Sequence, residues 1–147
     1  MTTITATRRI QFCAGHRVWK HESKCRNLHG HNYVALFEAR AVAGELDDIG
    51  RVIDFSVLKE RLGGWVDANW DHGFIYHEED VDTIAALDAM GPAQRRFGLQ
   101  ANPTAENMAR FLLEVVAPIE LHGTGVEVVQ VTLWETENCY AVARLEN

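Results

Sequence analysis

From Gly30 to Val42 the chain alternates without interruption. Tyr33, Ala35, Phe37, Ala39 and Ala41 fall on one side, and Asn32, Val34, Leu36, Glu38 and Arg40 on the other. Side chains two apart on a strand share a face. The segment is therefore a long strand with one face in a core, and a sheet has to be built around it. His29 and His31 continue the apolar face at the start of this strand, and Gly30 between them takes no space on the opposite side. Two imidazoles project together. A third, from His16, would give three neutral nitrogen donors and leave one tetrahedral position open, as in catalytic rather than structural zinc sites. Zinc suits imidazole, although iron and nickel accept the same donors.

The remaining chain supplies the partners of that strand. Thr3 to Phe12 carries β-branched residues in alternation and reads as a strand. Cys13 to Leu28 is a long polar loop. Asp54 or Ser56 can cap a helix running to about Asn69, which Gly63-Gly64 weakens by roughly 1 kcal/mol per glycine. Trp70-Asp71-His72-Gly73-Phe74 reads as a turn. Tyr76 to Ala101 reads as an insert with a short helix over Asp80–Met90. Asn102-Pro103-Thr104 starts a further helix, with Thr104 as its cap. Met108, Leu112, Val115, Val116 and Ile119 then form one apolar stripe at helical spacing. Val126 to Thr136 and Cys139 to Leu145 are two strands joined by a tight turn.

Two hairpins flanking helices predict an α+β domain, an antiparallel four-stranded sheet with helices on one face. At 147 residues the chain fits a single domain, 1–147, carrying the insert at about 76–101. Four strands leave two open edges, and joining edges between subunits into a barrel would cover them.

Composition narrows the class. No apolar run approaches the roughly 20 residues that cross a bilayer, and Met1 to Arg9 lacks the pattern of an export signal. Three widely spaced cysteines, Cys13, Cys25 and Cys139, read as reduced cytoplasmic thiols. A net charge of -7 argues against nucleic acid as the partner. Six of the fourteen cations nevertheless fall between Arg8 and Arg26, with Glu22 the one acid there. Such a patch either attracts a small anion or is simply a solvated loop.

Each remaining chemical residue has a plain and a functional reading. Cys25, between Lys24 and Arg26, is either a small apolar filler or a thiolate favoured by its cationic neighbours and usable as base or nucleophile. Cys13 and Cys139 lie in strand-like apolar contexts and fit the filler reading. Asp71-His72 is either a common turn sequence or a histidine whose proton is fixed by a carboxylate, suited to acid–base work. Glu135 shares a strand face with Leu133, so its carboxylate either binds something or is an unhelpful buried charge. A carboxylate matches a guanidine-like edge through two parallel hydrogen bonds; Glu137 is the second choice for that role.

Taken in order, Phe12-Cys-Ala-Gly-His16, Cys25-Arg-Asn-Leu-His29-Gly-His31, Trp70-Asp71-His72 and Trp134-Glu135-Thr136 resemble the 6-pyruvoyl-tetrahydropterin synthase superfamily. Gly50-Arg-Val-Ile-Asp54-Phe55 and Asn102-Pro-Thr104-Ala-Glu106-Asn107 extend the similarity over nearly the whole chain. The three residues between Cys25 and His29 resemble the 6-carboxytetrahydropterin synthase branch of queuosine biosynthesis. Two departures stand out: the insert is longer than the connection usual in the bacterial branch, and Gly73 replaces a second histidine.

The resemblance implies the tunnel fold, with subunits joining sheets into a barrel as a homo-trimer or homo-hexamer and pockets between them. It implies Zn2+ on His16, His29 and His31, a catalytic set of Cys25, Asp71 and His72, and Glu135 anchoring a pterin's amino-pyrimidine edge. Thr104, which precedes Ala105-Glu106-Asn107 in a shared motif, joins the substrate-binding residues. The implied reaction is a carbon–carbon lyase step on 7,8-dihydroneopterin triphosphate. Charge clustering adds Arg17 and Lys24 as candidates for the triphosphate. The alternatives are a 6-pyruvoyl-tetrahydropterin synthase, which eliminates triphosphate but keeps the side chain, and a non-catalytic metal-dependent pterin-binding module.

Overall fold

Alternation along the central strand governs the architecture. The computed structural model describes residues 1–146, so Asn147 of the expected domain lies outside the described residues. In β2 (His29–Ala41), Tyr33, Ala35, Phe37 and Ala39 are wholly buried while their neighbours are half-exposed. β1 (Ala6–His16) pairs with it antiparallel, in a register that sets Phe12 opposite Tyr33, Ala14 opposite His31 and His16 opposite His29. The Phe12 and Tyr33 rings stack across this pair with centroids 5.0 Å apart. This hairpin thus delivers histidines from two strands to one end of one face.

The expected four-stranded antiparallel sheet is corrected to a six-stranded mixed one. Two further strands, β3 (Gly73–His77) and β4 (Arg96–Leu99), lie parallel to β1 and to each other. With β5 (Val126–Thr136) and β6 (Cys139–Arg144) antiparallel on the other side, the order is β4-β3-β1-β2-β5-β6. The added strands are four and five residues long. Strands that short carry too few residues for alternation to identify them. Their inner residues, Ile75 and Leu99, join the core.

Helices cover one face. α1 (Phe55–Leu58) and α2 (Gly64–Asn69) are continuous through a π-helical turn over Lys59–Gly63, and Asp54 caps the start by accepting from Ser56 N at 2.8 Å. A side chain on Gly63 would meet Ile10 Cδ1 at 3.1 Å, so this glycine lets the helix approach β1 closely. α3 (Val81–Ala89) crosses from β3 to β4 and is capped by Asp80. α4 (Ala105–Phe111), capped by Thr104, runs through a second π-helical turn over Leu112–Val116 into α5 (Ala117–Glu120).

That second widened turn corrects the apolar stripe. Met108, Leu112 and Val116 are buried as expected, but Val115 and Ile119 are 41% and 67% exposed. Each i→i+5 turn shifts the helical phase, and Leu113 and Ala117 take the inward positions instead. Under the helices, Trp65, Trp70, Phe97 and Phe111 pack with centroid distances of 5.3 to 6.0 Å, so β4 contributes directly to the core. Among the described residues no helix is long and apolar enough to cross a membrane.

Candidate metal centre and its surroundings

His16, His29 and His31 converge at the end of the β1–β2 pair, with one nitrogen of each within 4.8 Å of the others. The backbone fixes which nitrogens face inward. His16 Nδ1 lies 2.7 Å from the Pro103 carbonyl and His29 Nδ1 lies 2.7 Å from the Asn27 carbonyl. A carbonyl only accepts, so both Nδ1 atoms carry the proton and both Nε2 atoms present lone pairs. Tyr33 Oη sits 3.3 Å from His16 Nδ1 on the same side.

These lone pairs point at one another. His16 Nε2 and His29 Nε2 are 3.1 Å apart, and Glu135 Oε1 stands 3.5 Å from His16 Nε2 and 3.6 Å from His31 Nε2. Burial above all drives His16 down to about 4, against the Pro103 hydrogen bond, with the other two imidazoles lowering it further. Burial likewise lowers His31, with Glu135 opposing and His29 assisting. Both rings are therefore neutral at pH 7, and their approaches to Glu135 are not ion pairs. His31 Nε2 is buried without a hydrogen-bond partner among the described residues. His16 Nε2, His29 Nε2 and Glu135 Oε1 are acceptors crowded together, mutually repulsive unless a cation lies between them.

The donor set fits a divalent ion. Tetrahedral zinc with nitrogens at about 2.0–2.1 Å separates them by about 3.3–3.4 Å, close to the His16–His29 spacing. The Nδ1 hydrogen bonds to Pro103 and Asn27 carbonyls are the outer contacts that orient such ligands. Glu135 completes the rim on β5. Burial and the nearby Glu135 charge raise the Tyr33 hydroxyl well above its usual range, so it stays protonated.

A second group lies on the opposite face of β1, where Cys13 points away from Phe12 and Ala14. Asp71 Oδ2 is 3.0 Å from His72 Nδ1, and His72 Nε2 is 3.6 Å from Cys13 Sγ. Cys13 N donates to Asp71 Oδ1 at 3.0 Å, and His72 N donates to the Cys13 carbonyl at 2.7 Å. Burial alone would raise the Asp71 carboxyl, but hydrogen bonds from Cys13 N and His72 hold it below its ordinary value. Among the described residues the thiol within reach of His72 is thus Cys13. Cys25 sits half-buried in a short 3-10 turn over Lys24–Arg26, where its carbonyl accepts from Val18 N at 2.7 Å.

The loop after His16 is held by Asp80, the cap of α3, and by Asn102, just before α4. Arg17 Nε donates to Asp80 Oδ2 at 2.7 Å and its Nη2 donates to Oδ1. Asn102 exchanges hydrogen bonds of 2.8 and 3.0 Å with the backbone of Trp19. Lys24 is exposed. Thr104 Oγ1 accepts from Asn107 N at 3.1 Å, one residue from the carbonyl that orients His16. Sequence reasoning missed Cys13, Asp80, Asn102 and Pro103. For Cys13 a signal existed, since its alternation with Phe12 and Ala14 assigns it to the face the helices leave uncovered.

The sequence profile of the family described as 6-pyruvoyl tetrahydropterin synthase matches residues 5–146. A protein of Rickettsia bellii named 6-carboxy-5,6,7,8-tetrahydropterin synthase is 39% identical over 137 residues, which are 93% of this chain and 97% of that one. Among solved structures, an uncharacterized protein of Wolinella succinogenes superposes with a TM-score of 0.78 at 24% identity, covering 97% of this chain and 98% of that one. The 6-pyruvoyl tetrahydropterin synthase of Caenorhabditis elegans gives 0.68 at 25% identity, covering 97% and 96%. Matched along nearly its full length in both sequence and fold, this chain belongs to the 6-pyruvoyl tetrahydropterin synthase family.

Proposed function

We propose that the chain is a metal-dependent lyase of queuosine biosynthesis, converting 7,8-dihydroneopterin triphosphate to 6-carboxy-5,6,7,8-tetrahydropterin, acetaldehyde and triphosphate. The observation that carries this reading is the convergence of imidazole lone pairs beside a carboxylate, in a chain 39% identical to a protein named for that product. His16, His29 and His31 would hold the ion, with zinc the best match to three neutral imidazoles. When bound, such an ion lowers the pKa of a substrate hydroxyl and polarises a neighbouring carbonyl.

The chain's own residues do the rest. Glu135 accepts from the pterin's amino-pyrimidine edge through its second oxygen, fixing the ring beside the metal centre. His72, its Nδ1 proton held by Asp71, has a lone pair on Nε2 and serves as a general base. Cys25 is the thiol of the reaction. Its separation from His72 within one chain supports a pocket shared between subunits, each supplying one of the pair. The open edges of β4 and β6 suit such an assembly, a trimer or hexamer closing the sheets into a barrel. Lys24 and, behind its contact with Asp80, Arg17 draw in the triphosphate, and Thr104 lines the approach. Three free thiols support a cytoplasmic enzyme.

Incubating the zinc-loaded protein with dihydroneopterin triphosphate and identifying products by mass tests the reading. Acetaldehyde with the 6-carboxy product supports it. Triphosphate release with a retained pyruvoyl side chain identifies a synthase instead, and tight binding without turnover identifies a binding module.

A further inference from the structure

We propose that Cys13 Sγ and His72 Nε2 form a second, sulfur-containing metal site, separate from the three-imidazole centre, and that filling it removes His72 from proton transfer. The spacing is already that of a ligand pair. Zinc with sulfur at about 2.3 Å and nitrogen at about 2.0–2.1 Å holds the two donors about 3.5–3.6 Å apart at a tetrahedral angle. The observed separation is 3.6 Å. Asp71 stands behind the imidazole, 3.0 Å from Nδ1, which leaves Nε2 as the lone-pair nitrogen. Carboxylate, histidine and metal in line is the usual support for such a ligand. The ligand atoms of Cys13, Asp71 and His72 all lie within 4.8 Å of one another.

The pair is also held in place before any ion arrives. Two hydrogen bonds at the Cys13 backbone, its N–H to the Asp71 carboxylate and its carbonyl from His72 N–H, lock the Asp71-His72 turn in place. They sustain His72 at φ 59, a conformation that non-glycine residues adopt at a cost. Access is open: His72 is exposed and Cys13 half-buried, on a shallow cleft with Gly15, Gly30 and Phe74. Gly15 pairs with Gly30 across β1 and β2 on its floor, with the Phe74 ring lying over Gly15. On binding, the thiol proton passes to solvent, sulfur and Nε2 each give a pair to the ion, and the Nδ1 proton stays on the Asp71 side. Sulfur selects zinc and cadmium over magnesium and calcium. Loss of proton transfer rests on the reading of His72 as general base; the site itself does not.

Cadmium added to protein whose three-imidazole centre is already zinc-loaded tests the site through the ultraviolet thiolate-to-cadmium absorption band. The expected band is abolished in Cys13→Ser, retained in Cys25→Ser and Cys139→Ser, and needs at least about 10-fold more cadmium in His72→Asn. Absence of the band in the unaltered chain, its survival in Cys13→Ser, or its loss in Cys25→Ser overturns the proposal. Excess zinc should slow turnover of the unaltered chain relative to its own rate without the excess, and should not slow Cys13→Ser relative to its own. Equal slowing in both overturns the blocking of His72. Absence of turnover in every sample counts against the lyase reading and leaves the cadmium result intact.

Discussion

Removing the Arg17 guanidinium strands a carboxylate. Asp80 is 1% exposed, while Arg17 is 22% exposed. Burial alone would raise the Asp80 carboxyl, but hydrogen bonds from Arg17 and Thr83 together hold it below its ordinary value. Breaking a buried pair from one side costs about 3–5 kcal/mol. Thr83 N and Thr83 Oγ1 still donate to Asp80 at 3.2 and 2.6 Å, so Arg17→Ala falls at about 2–3 kcal/mol. Asp80→Asn keeps an acceptor for Thr83 and leaves an arginine that can turn to water, at about 1–2 kcal/mol. The double variant should recover about 1–2 kcal/mol of the sum. Urea unfolding at pH 7 and one fixed protein concentration measures all four proteins, since assembly makes stability depend on concentration. A coupling below about 0.5 kcal/mol would refute the reasoning, because additivity within that margin is what unconnected sites show.

The same carboxylate sets a pH dependence. A carboxyl lowered on folding stabilises above its unfolded value, near 3.8, and that stability disappears as pH falls from there through the lower folded value. Unfolding free energy of Asp80→Asn should therefore fall less steeply than that of the unaltered chain below about pH 4; parallel curves would show that Asp80 is not held as described. Two glycines have opposite signs. A methyl on Gly15 would lie 2.6 Å from the Phe74 ring, so Gly15→Ala should cost about 1–3 kcal/mol. Gly64 sits in helical backbone with nothing within 4 Å of a new methyl, so Gly64→Ala should add about 0.5–1 kcal/mol. Thermal melts decide both, and a destabilised Gly64→Ala would contradict the helix geometry.

The long strands were legible because burial of one face imposes a period of two. That single rule placed His29 and His31 together and set Glu135 on the face of Leu133. His16 joined them because it ends the paired strand β1, which runs past Phe12 to His16 rather than giving way to a loop at Cys13. Strand β4 stayed hidden since Arg96-Phe-Gly-Leu carries a charge and a glycine in four residues, and its pairing with β3 is a long-range event. The π-helical turns hid the true inward face after Leu112, because no local signal marks where a helix gains a residue per turn. Charge clustering drew attention to Arg17, but its ion pair with Asp80, 63 residues away, was invisible to any local pattern. Cys13 reads as a filler along the chain and becomes chemical only when the turn at Asp71-His72 folds against it.

Metal binding by the three imidazoles is the hinge of the functional reading, and calorimetric zinc titration of the Cys13→Ser protein, in which only that centre remains, measures it directly. Tight uptake of one zinc per chain is expected, reduced at least about 100-fold in His29→Ala and in His31→Ala with the fold intact by circular dichroism. Undiminished zinc affinity in those two variants, or no tight zinc binding in the parent, would contradict it.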